Sequence, residues 1–326
     1  MVVLVGRLSK IYFKLENHLH HHHHEAATEA LLQASLEAFR SDVSVALNRL
    51  LLSNSKPGSE LLSFAWIQLC FELLQVINKA FAKVVVDIDY PMSKWEASSS
   101  VEEYLNYSLC LMELLNSISS SMSHLRQARL SLSHALSLVE NSPPMAIERL
   151  RAFPTKSNSS CKEFKRPENN KEDGDGGDRF FGSNKERAVN EALMEVKSIG
   201  FWACGVILAG LSGDAKAYVD MRNSGGGFSN SALSSLDSSI CEMMLEKKGG
   251  VLKEVRELND SANCLAAALE TGESGNQKAA EELQRRLEAF EKVLDNMGSE
   301  VDHLFSKLLA GRNQLVDGIR RNSKIA

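Results

Sequence analysis

A chain of 326 residues, 44% of them hydrophobic, is long enough to bury one large core or two smaller ones. Its formal net charge is −5, with bases and acids interspersed, which excludes a protein that coats nucleic acid. Only 6 prolines and 5 tyrosines occur, and Leu, Ser, Ala and Glu dominate, so the composition favours helices over a sheet.

The N-terminus MVVLVGRLSKIYFKLE places Leu4, Leu8, Ile11 and Leu15 at helical spacing, with Arg7, Lys10 and Lys14 elsewhere on the wheel. Such a short basic amphipathic segment suits an anionic membrane surface or a dock on the protein's own core. It does not read as a signal peptide, because its bases follow the apolar start and the apolar run is short. It matches a plastid transit peptide only loosely. The histidine run His18 and His20 to His24 reads as a solvated linker, since a metal site needs ligands held in fixed geometry.

From about Glu25 to Leu52 the residues Leu31, Leu32, Leu36, Phe39, Val43, Ala46 and Leu50 follow the 3.6 period. Pro57 and Gly58 break that helix. An apolar helix is expected from Ser59 to about Val86, carrying Trp66, Leu69, Leu73, Val76 and Phe81. The β-branched KVVVDID reads as its end, because no partner strand is evident. Ser100 and Glu103 have capping-box spacing for the next long helix, which Asn141-Ser142-Pro143-Pro144 stops. His124 and His134 lie about 15 Å apart along that helix, too far to share a metal. From about Ala152 to Lys185 the polar, Gly-rich sequence has almost no apolar period and reads as a disordered linker.

The second half starts with a helix from about Glu186 that enters SIGFWACGVILAGLSGD, uncharged from Ser198 to Gly213. A membrane span needs about 20 apolar residues. This window is shorter, and Gly200, Ala203, Gly205, Ala209 and Gly210 are small enough for close helix approach. It reads as a buried helix around Ile199, Trp202, Val206 and Leu208, with a membrane segment as the alternative. SGGGFSN is a loop, and helix signals resume from Ser231. Leu252, Val255, Ala262, Leu265 and Leu269 form one stripe, and TGESGN is a turn. The last helix carries a heptad seam: Leu283, Leu287, Phe290, Leu294, Met297, Val301, Leu304 and Leu308. Val293 and Phe305 widen it, which favours packing within a bundle over a dimerising rod.

Chemistry is scarce. The glycines before Asp214 are spaced like a phosphate loop, but an acid stands where that loop needs lysine. Gly210 to Asp214 has no fifth glycine for a nucleophile elbow. The six cysteines Cys70, Cys110, Cys161, Cys204, Cys241 and Cys264 are far apart, without disulfide or zinc spacing, and read as buried reduced thiols. No catalytic, cofactor or metal residue is expected.

Several long blocks are similar to the BYPASS family of plant proteins: SKPGSELLSFAWIQLCFELL, DIDYPMSKWEASSSVEEYLNYSLCLMELLNSIS, RLSLSHALSLVENSP, GFWACGVILAGLSGDAK and VDHLFSKLLAGRNQLVDGIR. The resemblance covers most of the chain outside the histidine-containing start and the polar linker. It implies a non-enzymatic regulator of root and shoot development that restrains a root-derived mobile signal arresting shoot growth. It also implies, as the alternative, a membrane-associated adaptor in exocyst-linked trafficking or stress signalling. Family members are often described with a membrane segment, which corresponds to the uncharged window.

The expectation is therefore an all-α, elongated antiparallel helical bundle with a C-terminal coiled-coil-like helical hairpin. Residues 1–24 form a variable segment, 25–151 a first helical half, 152–185 a linker, and 186–326 a second half packed on the first. No cofactor and no nucleic acid are expected. The partners are proteins, with peripheral or single-pass membrane contact as an alternative. The location is intracellular, either cytoplasmic or membrane-associated.

Overall fold

Every residue from Ser198 to Ser212 is buried, and the rest of the molecule is arranged around that helix. A computed structural model describes residues 28–53, 61–88, 99–151, 184–224, 228, 230–245, 252–272 and 275–322. The N-terminal amphipathic segment, the histidine run, the 152–183 part of the polar linker and Cys161 lie outside the described residues. Among the described residues there are nine helices and no strand, so the all-α bundle is found. They are α1 (28–53), α2 (Phe64–Asp87), α3 (Ser99–Ser137), α4 (Pro143–Arg151) and α5 (Asn184–Ser212), followed by α6 (Lys216–Ser224), α7 (Ser231–Leu245), α8 (Lys253–Thr271) and α9 (Asn276–Asn322).

Helix α5 packs against α2, α3 and its own successor α6, while α9 packs against α3, α8 and α2. All nine helices contribute to one continuous apolar cluster. Helix directions follow from the cross-links. Arg312 reaches Leu105 and Ser108, and Arg129 reaches Glu291 at 2.8 Å, so α3 and α9 run antiparallel. Glu103 meets Lys197 at 3.5 Å and Tyr107 meets Phe201, so α3 and α5 run parallel. Helix α1 lies parallel to the start of α5, tied by Glu29 to Asn184 and by Arg40 to Glu191. The turn after α8 ends on Gly272 at φ 66°, a left-handed position that suits glycine, and α9 returns as a hairpin.

Several helix boundaries differ from the sequence expectation. Helix α2 starts at Phe64 instead of Ser59. Leu62 sits at φ 60°, where a side chain is strained, and Ser63 caps the helix by accepting from Trp66 N at 3.2 Å. The second half of the chain holds this start in place. Lys253 N–H donates to the Leu62 carbonyl at 3.1 Å, and Phe64 N–H donates to both Glu254 oxygens at 3.1 Å. Helix α3 begins at Ser99, which places Ser100 inside its first turn and sends Glu103 across to Lys197 in place of a capping box. Helix α3 ends at Ser137, ahead of the stop read at Asn141-Ser142-Pro143-Pro144, and Pro143 also opens α4, because proline suits the first helical position, where its missing N–H has no partner anyway. The KVVVDID stretch is the end of α2, as read from the sequence. Helix α5 begins two residues earlier than expected, at Asn184.

The small residues of α5 have distinct roles. A Cβ at Gly200 would stand 2.5 Å from the Tyr107 hydroxyl oxygen. One at Gly205 would stand 2.7 Å from Met221 Cβ and 3.3 Å from the Ala217 carbonyl oxygen. At Gly210 the nearest atoms, on Leu252 and Leu62, are at an ordinary 3.4 Å. Gly213, at φ 69°, then ends the helix, and Asp214 caps the next one by accepting from Lys216 N at 2.9 Å.

Specific outcomes are expected in urea unfolding. Gly200→Ala and Gly205→Ala each lower stability by about 1–3 kcal/mol, because the buried Tyr107 ring and the α6 atoms against Gly205 would have to shift. Gly210→Ala instead stays level or gains up to about 1 kcal/mol from helix propensity; equal losses at all three positions would refute the close-approach account. Glu254→Ala, which leaves Phe64 N–H without its acceptor, costs about 1–2 kcal/mol. Burial pushes the Glu254 carboxyl above its ordinary 4.5, against the lowering pull of the hydrogen bond from Phe64. The native state then holds that proton more tightly than the unfolded chain, so this contribution is present at low pH and lost as pH rises through the raised value. The stability of Glu254→Gln should therefore fall less than that of the parent between pH 4.5 and 7, as read from the urea midpoint.

Candidate functional site

The apolar face of α7 is Leu233, Leu236, Ile240 and Met244, all buried, and Asp237 stands in the same stripe. A carboxylate on a core face must be paired or it destabilises the fold. Asp237 is only 2% exposed, and two helices supply its partners. Trp202 Nε1 on α5 donates to Oδ1 at 3.1 Å, and the Tyr218 hydroxyl on α6 donates to the same oxygen at 2.5 Å. Arg222, one turn beyond Tyr218 on α6, meets Oδ2 at 2.8 Å. The flanking caps set this register. Asn230 accepts from Ala232 N at 2.9 Å to start α7, and Asp214 starts α6.

These contacts determine what the centre can do chemically. Both carboxylate oxygens are engaged. Burial, and then the bonded Asp237, push the Tyr218 hydroxyl far above its ordinary value, so it stays a neutral donor and serves as no base. Cys241 Sγ lies 3.9 Å from Arg222 Nη1 at the rim. The arrangement is a clasp joining α5, α6 and α7, with the charge-assisted bonds that make such ties strong. Sequence reasoning missed Asp237, Tyr218 and Arg222. The available signal was an acid occupying a core position of the α7 wheel.

The residues singled out in the sequence are distributed as follows. Ile199, Trp202, Val206 and Leu208 are all buried in α5, and Trp202 packs edge-on to Trp66 with centroids 6.5 Å apart. Helix α5 is long and apolar enough to cross a membrane, and 83% of its most apolar window is buried inside the fold. Leu283, Leu287, Phe290, Leu294, Met297, Val301, Leu304 and Leu308 are also all buried, facing inward from α9. Along that seam Gly298 leaves space for Arg126, which donates to the Leu294 carbonyl at 3.0 Å. His124 and His134 are exposed, and His134 Nδ1 lies 3.2 Å from Arg149 Nη1. Among the described residues no three His, Cys, Asp or Glu side chains are grouped to hold a metal.

Of the cysteines, Cys70, Cys110 and Cys204 are buried and free. Burial pushes the Cys204 thiol up to about 12, and the Cys70 thiol is raised by burial and by its neighbour Cys204. Neither is a nucleophile at neutral pH. Cys264 departs from the expectation and is exposed.

Comparison with known proteins adds a family. A family model described as Protein BPS1 matches residues 91–316, which include α3 to α8, the Asp237 clasp and the α9 seam. Protein BPS1, chloroplastic, of Arabidopsis thaliana is 24% identical over 314 residues, covering 87% of this chain and 83% of that protein. UPF0496 protein 4 of Oryza sativa subsp. japonica is 24% identical over 245 residues, 72% of this chain and 53% of its own length. The protein of the same name from Oryza sativa subsp. indica matches over the same extent, so the chain spans about half the length of these rice relatives. No solved structure matches.

Asp237 provides the test of the clasp. Asp237→Leu strands the Trp202 and Tyr218 donors in the core and should cost on the order of 3 kcal/mol. Asp237→Asn, which keeps an acceptor oxygen, should cost less. Urea unfolding followed by Trp fluorescence measures both, and a loss under about 0.5 kcal/mol for Asp237→Leu would show that the clasp contributes little.

Proposed function

Because the chain belongs to the BPS1 family, the family its sequence blocks resemble, we propose that it is a non-catalytic regulator of plant development acting through protein contacts. In this reading it restrains a root-derived mobile signal that otherwise arrests shoot growth. The observation that carries the non-catalytic part is the Asp237 centre. It is the buried acid that would first be suspected of catalysis, and its two oxygens are taken by Trp202, Tyr218 and Arg222. A general base needs an oxygen within reach of a substrate proton, and both oxygens of this buried carboxylate already accept from the protein's own donors.

Contacts to partners are then made by outer helix faces and by chain outside the helices. The α9 seam is consumed by the fold, so it serves partners only by supporting the surface above it. We place the protein inside the cell, in the cytoplasm or at a membrane. The word chloroplastic belongs to the name of the Arabidopsis relative.

Reciprocal grafting tests the biological claim. Wild-type shoots on roots lacking this protein should arrest, and normal shoot growth on such roots would refute it. Roots expressing Asp237→Asn, at matched protein level, should restore growth. Failure of that variant with normal protein abundance would point to chemistry at the centre and overturn the non-catalytic reading.

A further inference from the structure

The inner face of α1 is buried through Leu32, Leu36, Phe39, Val43, Leu47 and Leu50. Its outer face carries a second apolar stripe that no described element covers. Leu31, Val45 and Leu52 are 52%, 60% and 64% exposed. With Ala38 between them they recur every seven residues, and Ala34, Ser41 and Asn48 fill the alternate positions with small or polar side chains. That is a narrow seam built to receive one helix. An exposed acid stands on each side of it, Glu37 on one flank and Asp42 on the other. The base on this face, Arg49, is directed to Glu72 of α2 at 3.3 Å.

The occupant must present a narrow apolar seam with a basic flank. A second copy of α1 fits poorly. An antiparallel self-pairing that matches Leu31 with Leu52 pivots between Ser41 and Asp42, and it brings the two Asp42 carboxylates together. The chain's own N-terminal segment fits well. Leu4, Leu8, Ile11 and Leu15 alternate spacings of four and three, and Arg7, Lys10 and Lys14 share one flank of that seam. In an antiparallel pair like flanks meet, which sets these bases along the Glu37 side of α1. Placing Leu15 beside Leu31 brings Lys10 level with position 36, next to Glu37. The seam it offers is about 16 Å long as a helix, against about 31 Å for the α1 stripe. Residues 16–27 reach about 40 Å when extended, more than a return onto α1 needs. Tethering makes the contact intramolecular, which favours it over any partner in solution at low concentration.

We infer that the outer face of α1 is a docking surface for a basic amphipathic helix, and that residues 4–15 of the same chain occupy it antiparallel. While docked, the basic segment is withheld from anionic surfaces. A partner or membrane that binds it must first compete with α1.

The test uses the full chain carrying Ala38→Cys, a position this register sets beside Leu8, with maleimide labelling read on the peptide containing residue 38. Leu8→Asp with Ile11→Asp should speed labelling roughly tenfold by releasing the segment. Glu37→Lys should speed it about threefold, and adding Lys10→Glu should restore protection to near the parent level. Glu37 is exposed and Ala38 is half-buried on the outer face, so unchanged helix content serves as the folding control. Labelling indifferent to the Leu8 and Ile11 changes overturns the inference, as does failure of the charge swap to restore protection. Protection that vanishes on dilution would assign the face to a second copy, and protection that appears only with anionic vesicles would assign it to lipid. Either result also overturns it.

Discussion

Gly205 lies against Met221 Cβ and the backbone of α6, and this contact sets the layout of the second half. Dispersion attraction falls steeply with separation, so a helix with no side chain at its contact point gains close backbone packing that a larger residue forbids. Helix α6 can fold back onto α5 only because Gly205 and the break at Gly213 permit it. Once α6 is there, Tyr218 and Arg222 project toward α7, and Asp237 finds three donors. On the opposite side Gly200 admits the Tyr107 ring of α3. The uncharged helix is thus a spine whose spaced absences of side chain decide where its neighbours stand.

A second tie joins the two halves of the chain. The start of α2 has no complete cap of its own, since Ser63 satisfies only one of its free N–H groups. Glu254, from the start of α8, supplies the acceptor for Phe64 N–H, and the Leu62 carbonyl in return receives Lys253 N–H. These reciprocal bonds hold Leu62 in a conformation it would otherwise avoid. Leu62 can then insert its side chain next to Gly210 of α5. Backbone strain, capping and core packing meet at one joint, and each depends on the other half of the chain.

This dependence separates what is legible in the sequence from what is not. The α9 heptad and the uncharged window are periodic over many residues, and their burial follows from that pattern alone. Pro143 is half legible: the stop before it is readable, but proline ends one helix and begins another with equal ease, and the start of α4 is not. The start of α2 falls later than its sequence suggests because its cap is shared with Glu254, 190 residues away. Gly213-Asp214 is legible as a failed phosphate loop; its positive role, a helix stop followed by a cap, needs the backbone. Asp237 shows the limit most clearly. Its place on the α7 wheel is readable, but the identity of its partners depends on three helices converging.

The membrane alternative for α5 can be weighed in free energy. In a bilayer α5 itself would lose little, because lipid replaces the protein around its apolar side chains. The loss falls on what it leaves behind. Trp66, Ile67, Leu62, Tyr107, Met221 and Leu252 all stand against α5, and each large apolar side chain returned to water costs about 1.5–3 kcal/mol. Their sum, about 9–18 kcal/mol, matches or exceeds the whole stability of an ordinary domain, about 5–15 kcal/mol. Withdrawing Trp202 also removes a donor from Asp237. A single-pass topology through α5 and the bundle described here are therefore alternatives, and one chain cannot adopt both at once. Attachment at a membrane surface carries no such cost, because residues outside the buried core can make it while α5 stays where its neighbours need it.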